Sequence, residues 1–164
     1  MNHYTRFFAL LPLVFILALP CGCPSKGPTV NRVEGIVTLD GTPVEGANVS
    51  FAPKAGSGED LSGPLLAGGK TDAAGKYTLT TNRGSTVGAG TTAGEYNVSI
   101  VKKTMTNPLT APLAPGQRFV PQYEYGVPKA FEEAAKSGIS VEVVKGKNVI
   151  NFALKSDGTF EITK

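Results

Sequence analysis

The chain has 164 residues, with 16 lysines and arginines against 13 aspartates and glutamates, and a formal net charge of +3. This near balance, with basic residues scattered along the chain, argues against a nucleic-acid-binding protein. The only histidine is His3, inside an N-terminal targeting segment, and there is no tryptophan. Without a histidine in the mature chain, Ser-His-Asp and Cys-His triads and the common histidine-based zinc sites are excluded.

Residues 1–23 are predicted to be a secretory signal. Arg6 precedes an apolar run over residues 7–19, which is shorter than the roughly 20 residues of a membrane-spanning helix. The two cysteines follow this run and are too close together to bridge each other readily. Cys23, which follows a glycine, resembles the lipidated cysteine of a bacterial lipoprotein signal; Cys21 is the alternative. An ordinary signal peptide with two incidental cysteines is the remaining interpretation.

Lipid on the cysteine would hold the mature chain on a membrane, since each buried methylene adds about 0.8 kcal/mol. Neither cysteine is followed by aspartate, which by analogy with enteric bacteria predicts an exported protein anchored in the outer membrane. Residues 24–31 are predicted to be a flexible tether. The remaining length suits one domain, which we place at residues 32–157, with 158–164 as a C-terminal tail or edge strand.

Alternating apolar residues predict short, half-buried strands. Val33, Gly35 and Val37 share one face, an Asp-Gly turn follows at residues 40–41, and a strand resumes at Ala47. Further predicted strands lie at residues 65–71, 76–80, 94–100, 139–143 and 148–154, with a marginal edge strand at 160–162. Residues 82–93 are predicted to be a loop, and Gly146 is predicted to form the turn of a hairpin between the last two main strands.

Residues 104–138 interrupt this pattern with five prolines. They are predicted to form an irregular insertion up to Lys129, followed by one or two helical turns over residues 130–136. So long a connection in a compact domain often has a function of its own or lacks fixed structure.

Three segments in order resemble the carboxypeptidase regulatory-like domain family. They are Gly35-Ile-Val with Asp-Gly-Thr-Pro-Val-x-Gly-Ala-x-Val over residues 40–49, Thr-Asp-x-x-Gly-x-Tyr over residues 71–77, and Gly-x-Tyr-x-Val over residues 94–98. The layout of signal, domain and insertion is similar to that of small lipoproteins of planctomycete bacteria. The resemblance implies an all-β, transthyretin-like, seven-stranded antiparallel Greek-key sandwich, and it carries over no catalytic residue.

The candidate contact residues lie in the insertion. Aromatic and polar side chains there suit contact with a peptide or glycan: Arg118, Phe119, Gln122, Tyr123 and Tyr125. In the alternative interpretation the insertion is a strap that packs its aromatic rings over one end of the sandwich. Tyr77 and Tyr96 are predicted to be core residues with hydroxyls bonded to main chain, and the aspartates of the turns are assigned to turn chemistry rather than to calcium.

These features predict a non-enzymatic, lipid-anchored cell-envelope protein whose sandwich serves as a structural or protein-interaction module. We expect no cofactor, no metal and no nucleic acid, and a membrane and an envelope protein or glycan as partners. A carbohydrate-binding module is the alternative, against which the lack of tryptophan counts. An enzyme that uses carboxylates or tyrosines is a third possibility and would require a buried carboxylate pair beside the insertion.

Overall fold

The computed structural model describes residues 28–54, 65–83, 86–110 and 112–164. This part of the chain is all β, with fourteen strands and one 3₁₀ turn, η1. The elements are β1 (Val33–Leu39), β2 (Thr42–Pro43), β3 (Asn48–Pro53), β4 (Ala67–Lys70), β5 (Lys76–Thr78), β6 (Thr80–Arg83), β7 (Thr86–Ala89), β8 (Gly94–Val101), β9 (Lys103–Met105), β10 (Tyr123–Tyr125), η1 (Lys129–Phe131), β11 (Ser140–Val143), β12 (Asn148–Val149), β13 (Asn151–Leu154) and β14 (Phe160–Thr163).

The first sheet is built around β1. Its antiparallel neighbours are β5 and the short β2, whereas β12 and β13 pair with it in parallel. The prediction of a wholly antiparallel sandwich is therefore wrong for these two pairings. Parallel strands need a long crossover rather than a hairpin, and here the whole second sheet lies between them in the chain. The predicted edge strand at residues 160–162 is confirmed as β14, antiparallel to β13.

The second sheet is antiparallel, with the strand order β11-β8-β3-β4-β6-β7. The predicted loop at residues 82–93 is wrong in its first part, because β6 continues to residue 83 and pairs with β7. The threonines of this region, Thr80 and Thr81 among them, favour strands. A segment rich in glycine and threonine, a composition that also suits loops, can thus form a hairpin at the edge of a sheet.

The two sheets enclose one hydrophobic core. The predicted inward faces are confirmed, because Val49 and Phe51 of β3 are fully buried, as are the alternate residues of β8 and β13. The rings of Phe51 and Phe152 meet edge to face across the sandwich with centroids 6.3 Å apart. Tyr77 and Tyr96 are also buried, and their hydroxyls bond main-chain oxygens of Ile150 and Thr92, as predicted.

The chain crosses between the sheets at Gly146, and the predicted hairpin there is wrong. β11 pairs with β8 in the second sheet, whereas β12 pairs with β1 in the first. Asn148 holds the crossing loop, because its amide donates to the carbonyls of Val144 at 2.9 Å and Gly146 at 3.2 Å. A turn-forming glycine predicts a reversal of the chain but does not decide which sheet the next strand joins.

The insertion is partly regular. β9 and β10 form an antiparallel pair, with Tyr123 opposite Met105 and Tyr125 opposite Lys103, so the prediction of irregular chain throughout is wrong at its base. The proline-rich tip between these strands contains no strand among its described residues. The predicted helical turns are confirmed only as η1 at Lys129–Phe131, where Phe131 enters the core.

The two ends of the sandwich differ. Asn31, the last residue of the predicted tether, is buried and exchanges main-chain hydrogen bonds with Thr91, so it belongs to the body of the fold. The Asn31–Thr91 pair lies at the end of the sandwich where β1 begins. β1 ends at Leu39, beside the base of the insertion. Within the described residues, no helical segment has the length and apolarity that crossing a bilayer requires.

Candidate functional site

Two adjoining depressions lie at the insertion end of the sandwich, with volumes of about 310 and 350 Å³. Both are lined by Leu39 and Gly126, so they form one open groove between the end of β1, the β2 turn and the base of the insertion. We call it the insertion groove. Its lining residues are Leu39, Asp40, Thr42, Pro43, Val44, Lys102, Tyr125, Gly126, Val127, Pro128, Lys129 and Ser156.

The floor of the groove depends on Gly126. A Cβ at this position would lie 2.7 Å from the Cδ and 3.0 Å from the Cγ of Lys102. The absence of a side chain therefore lets the aliphatic stem of Lys102 lie across the main chain of residue 126. Lysine stems commonly cover apolar surface in this way while the ammonium group stays in water. Gly126 also donates its N–H to the carbonyl of Lys102 at 2.8 Å, which fixes the two residues together.

The opposite wall carries an aromatic ring and a second lysine. The Nζ of Lys129 lies 4.5 Å from the ring centroid of Tyr125, within the range of a cation–π contact. Between them, Val127 is buried and Pro128 precedes η1. Proline at this place fixes the backbone where the chain enters the 3₁₀ turn. One face of the Tyr125 ring is thus occupied by a cation.

Asp40 and Ser156 close the groove beside β1. The backbone of Asp40 has a φ of 49°, a left-handed conformation that aspartate tolerates in turns. Its carboxylate accepts hydrogen bonds from the Ser156 hydroxyl and from the Ser156 N–H. These bonds hold the pKa of Asp40 below its ordinary value. Asp40 therefore remains ionised at neutral pH, with its oxygens engaged by Ser156.

The two groove lysines differ from their neighbour Lys103. Lys103 forms an ion pair with Glu132 at 3.3 Å. Among the residues that the structure describes, neither Lys102 nor Lys129 forms an ion pair. With Asp40 as the only carboxylate of the lining, two ammonium groups and one carboxylate give the groove a net positive charge.

The predicted contact residues do not converge on one site. Tyr125 alone lines the groove. Tyr123, 39 % exposed, lies further along the hairpin with the Lys103 ammonium 5.2 Å from its ring centroid. Arg118 and Gln122 are exposed on the insertion, and Phe119 is half-buried. Both candidate lipidation residues, Cys23 and Cys21, lie outside the described residues.

Sequence reasoning missed most of the groove. Lys102 stands in a lysine pair that suggests only solvation at a strand end, and Lys129 carries no motif. The Asp40 turn was identified, but its contact with Ser156 joins residues 116 positions apart. The one available signal was the Tyr-Gly-Val-Pro-Lys run over residues 125–129, in which the aromatic and basic residues flank a glycine, a valine and a proline.

The groove suits binding. Among the described residues, no group of three or more His, Cys, Asp or Glu side chains gathers as metal ligands. The Ser156 hydroxyl and the Asp40 carboxylate bond each other, and the rest of the lining supplies the hydroxyls of Thr42 and Tyr125, apolar side chains and positive charge. A scan against protein-family models and searches of the curated proteins and the solved structures found no match to this chain.

Proposed function

We propose that this protein is a lipid-anchored cell-envelope protein whose β-sandwich is a protein-interaction module, with the insertion as its contact surface. The observation that carries the proposal is the exposure of apolar side chains on the insertion. Val120 is 71 % exposed and Leu109 is 52 % exposed, and Met105 and Leu113 are exposed as well. Several exposed apolar side chains within one insertion suit a contact surface.

The proposed fold is the transthyretin-like Greek-key sandwich of the carboxypeptidase regulatory-like family. Support comes from the way in which short strands combine. β5 and β6 are separated by Leu79 alone, and β12 and β13 by Ile150 alone. With each pair counted as one strand, the principal strands are β1, β3, β4, β5/β6, β8, β11 and β12/β13, which is the seven that the family resemblance implies. β7 and β14 then extend the sheet edges.

Asn31 and the insertion lie at opposite ends of the sandwich. Asn31, the last residue of the predicted tether, sits just before the start of β1, whereas the insertion leaves from the end of β8 beside Leu39. A fully extended tether over residues 24–31 would reach at most about 28 Å. With lipid on Cys23, or on the alternative Cys21, the insertion would face away from the outer membrane. The partner would accordingly be an envelope protein beyond the lipid surface.

A carbohydrate-binding module is the second candidate. The half-exposed ring of Tyr123 favours it, because sugar rings pack on exposed aromatic faces, but the Lys103 ammonium lies 5.2 Å from the centroid of this ring. The ring of Tyr125 does not add to such a platform, since Lys129 already lies over it. The protein-interaction role therefore has more support from the exposed side chains of the insertion.

Site-specific photo-crosslinking of the full-length protein in its own cells tests the proposal. A photoreactive residue at position 120, on the insertion, is compared with one at position 66, where Leu66 is 63 % exposed at the other end of the sandwich. We expect the same protein partner to be captured from position 120 and not from position 66. Equal capture from both positions, or capture of glycan alone from position 120, would contradict the proposed role.

A further inference from the structure

We propose that the insertion groove binds an extended, acidic peptide segment of the partner, with Lys102 and Lys129 pairing with its carboxylates. The inference rests on the proposed interaction function and names the chemistry that the partner must present. It concerns the base of the insertion, which is distinct from the exposed apolar tip on which the interaction function rests.

The net positive charge of the groove favours an anionic ligand. Lys103 is neutralised by Glu132, and the Asp40 oxygens are engaged by Ser156. Hydrogen bonds from Ser156 hold the pKa of Asp40 low, and of the charges nearby Lys155 lowers it while Asp157 raises it, so these two charges oppose each other. The ammonium groups of Lys102 and Lys129 are left without a carboxylate among the described residues. Carboxylates of the partner would form ion pairs with both lysines.

The walls of the groove select an extended peptide. Leu39, Pro43 and Val44 line one lobe, and Val127 and Pro128 line the other together with Leu39. Apolar walls with charges at the two lobes suit a segment whose apolar and acidic side chains alternate, because alternate side chains of an extended chain point in opposite directions. The two lobes share Leu39 and Gly126, and the aliphatic stem of Lys102 lies across the main chain where they meet.

The same walls disfavour an acidic glycan. Glycan sites use exposed aromatic faces and amide side chains to match sugar hydroxyls. The lining contains no Asn or Gln, and its one ring face is covered by Lys129. The hydroxyl of Ser156 is already bonded to Asp40. Of the hydroxyl groups in the lining, only those of Thr42 and Tyr125 are then left to bond a sugar.

Fluorescence anisotropy with full-length protein in detergent micelles tests the inference. The probe is a short fluorescein-labelled peptide of alternating glutamate and leucine, compared with versions that carry glutamine or lysine in place of glutamate. We expect only the acidic peptide to bind. Lys102→Gln and Lys129→Gln should each weaken its binding by roughly two- to fivefold, the range for a solvated ion pair. Added salt should weaken it further.

Lys145→Gln is the matched control, because Lys145 is exposed in the crossing loop at the opposite end and forms no described ion pair. It should leave binding unchanged. Charge reversal adds a second control: Lys102→Glu with Lys129→Glu should lose the acidic peptide and gain the lysine version. Unchanged thermal melting of each variant shows that the fold is kept.

Several outcomes would overturn the inference. These are equal binding of the glutamine peptide, no binding of any peptide, an effect of Lys145→Gln as large as that of the groove variants, or preferential binding of an oligogalacturonate probe. The interaction function is judged separately, by capture at position 120 in cells. Capture there with no peptide binding in the groove would remove this inference and leave the proposed function standing.

Discussion

The hydroxyl of Tyr77 donates a hydrogen bond to the main-chain carbonyl of Ile150, at 2.8 Å, in the interior of the sandwich. Ile150 is the residue that separates β12 from β13. Its carbonyl therefore lies outside the hydrogen-bond ladder with β1 and comes close to Gly35. Burial raises the pKa of Tyr77, which keeps the hydroxyl protonated as a donor. The tyrosine thus replaces the ladder partner that the interrupted strand has lost.

Tyr77→Phe removes this donor and keeps the ring that stacks on Phe152. The buried Ile150 carbonyl is left without that partner, which typically costs about 1–3 kcal/mol. We expect the free energy of unfolding, from urea denaturation, to fall by this amount. Tyr123→Phe is the control, since Tyr123 is partly exposed on the insertion and should change stability by less than about 0.5 kcal/mol. Equal effects of the two substitutions would refute the role of the Tyr77 hydroxyl.

Gly35→Ala tests the close approach of the same carbonyl to β1. A Cβ on Gly35 would lie 1.7 Å from the Ile150 oxygen, which is main chain and cannot rotate away. Overpacking of this kind costs typically 1–3 kcal/mol and sometimes more, so we expect a loss of roughly 3 kcal/mol or more in thermal and urea unfolding. Gly68→Ala in β4 is matched, because its nearest main-chain neighbour lies 3.6 Å away; a comparable loss there would contradict the explanation.

Glu34 should make stability depend on pH. Its carboxylate pairs with Lys147 at 2.8 Å and Arg32 at 2.9 Å. The hydrogen bond from Lys147 and the charge of Arg32 hold the pKa of Glu34 below its ordinary value, against a smaller rise from desolvation. The folded pKa lies below the unfolded one. The stabilisation is therefore present above the unfolded pKa of about 4.3 and is lost as the pH falls toward the folded value.

Glu34→Gln removes this dependence. We expect urea midpoints measured from about pH 6 down to about pH 3 to fall less steeply in this variant than in the unmodified protein. Glu161→Gln on β14, an exposed residue that forms no ion pair in the described part of the chain, should leave the slope unchanged. Parallel pH profiles for Glu34→Gln and the unmodified protein would argue against the ion-pair explanation.

Replacement of the insertion tip decides between a contact surface and a structural strap. Thr106 and Gln122 are hydrogen bonded across the hairpin at 2.9 Å, so an Asn-Gly turn can replace residues 107–121. Asn107 bonds only within the tip, to Val120 and Gln122. We expect the unfolding free energy to change by less than about 1 kcal/mol, while partner capture is lost. A loss of several kcal/mol would establish the strap interpretation.

The proposed lipid anchor predicts that Cys23→Ala abolishes metabolic incorporation of labelled palmitate and releases the protein from membranes. Loss of the acyl chains removes the buried methylenes that hold it there. Cys21→Ala should retain both the label and the membrane fraction. The reverse pattern would assign the lipid to Cys21. If neither the unmodified protein nor the variants incorporate labelled palmitate, the segment is an ordinary signal peptide.

Local alternation predicted the strands well where one face is buried. The alternate residues of β3, β8 and β13 are in the core as expected, because a period of two places them on one side of a pleated strand. The same reasoning failed at β6 and β7, whose threonines and glycines give no apolar alternation. It also failed at β9 and β10, where prolines nearby hid a hairpin base.

Residue types and short-range periodicity were enough to predict an all-β fold and the core residues of the principal strands. Which sheet each strand joins, the parallel pairing of β1 with β12 and β13, and the insertion groove became clear from the folded structure. The lining of the groove brings Leu39, Lys102 and Ser156 together from distant parts of the chain. Such contacts are set by the packing of both sheets around a shared core, and no local pattern encodes them.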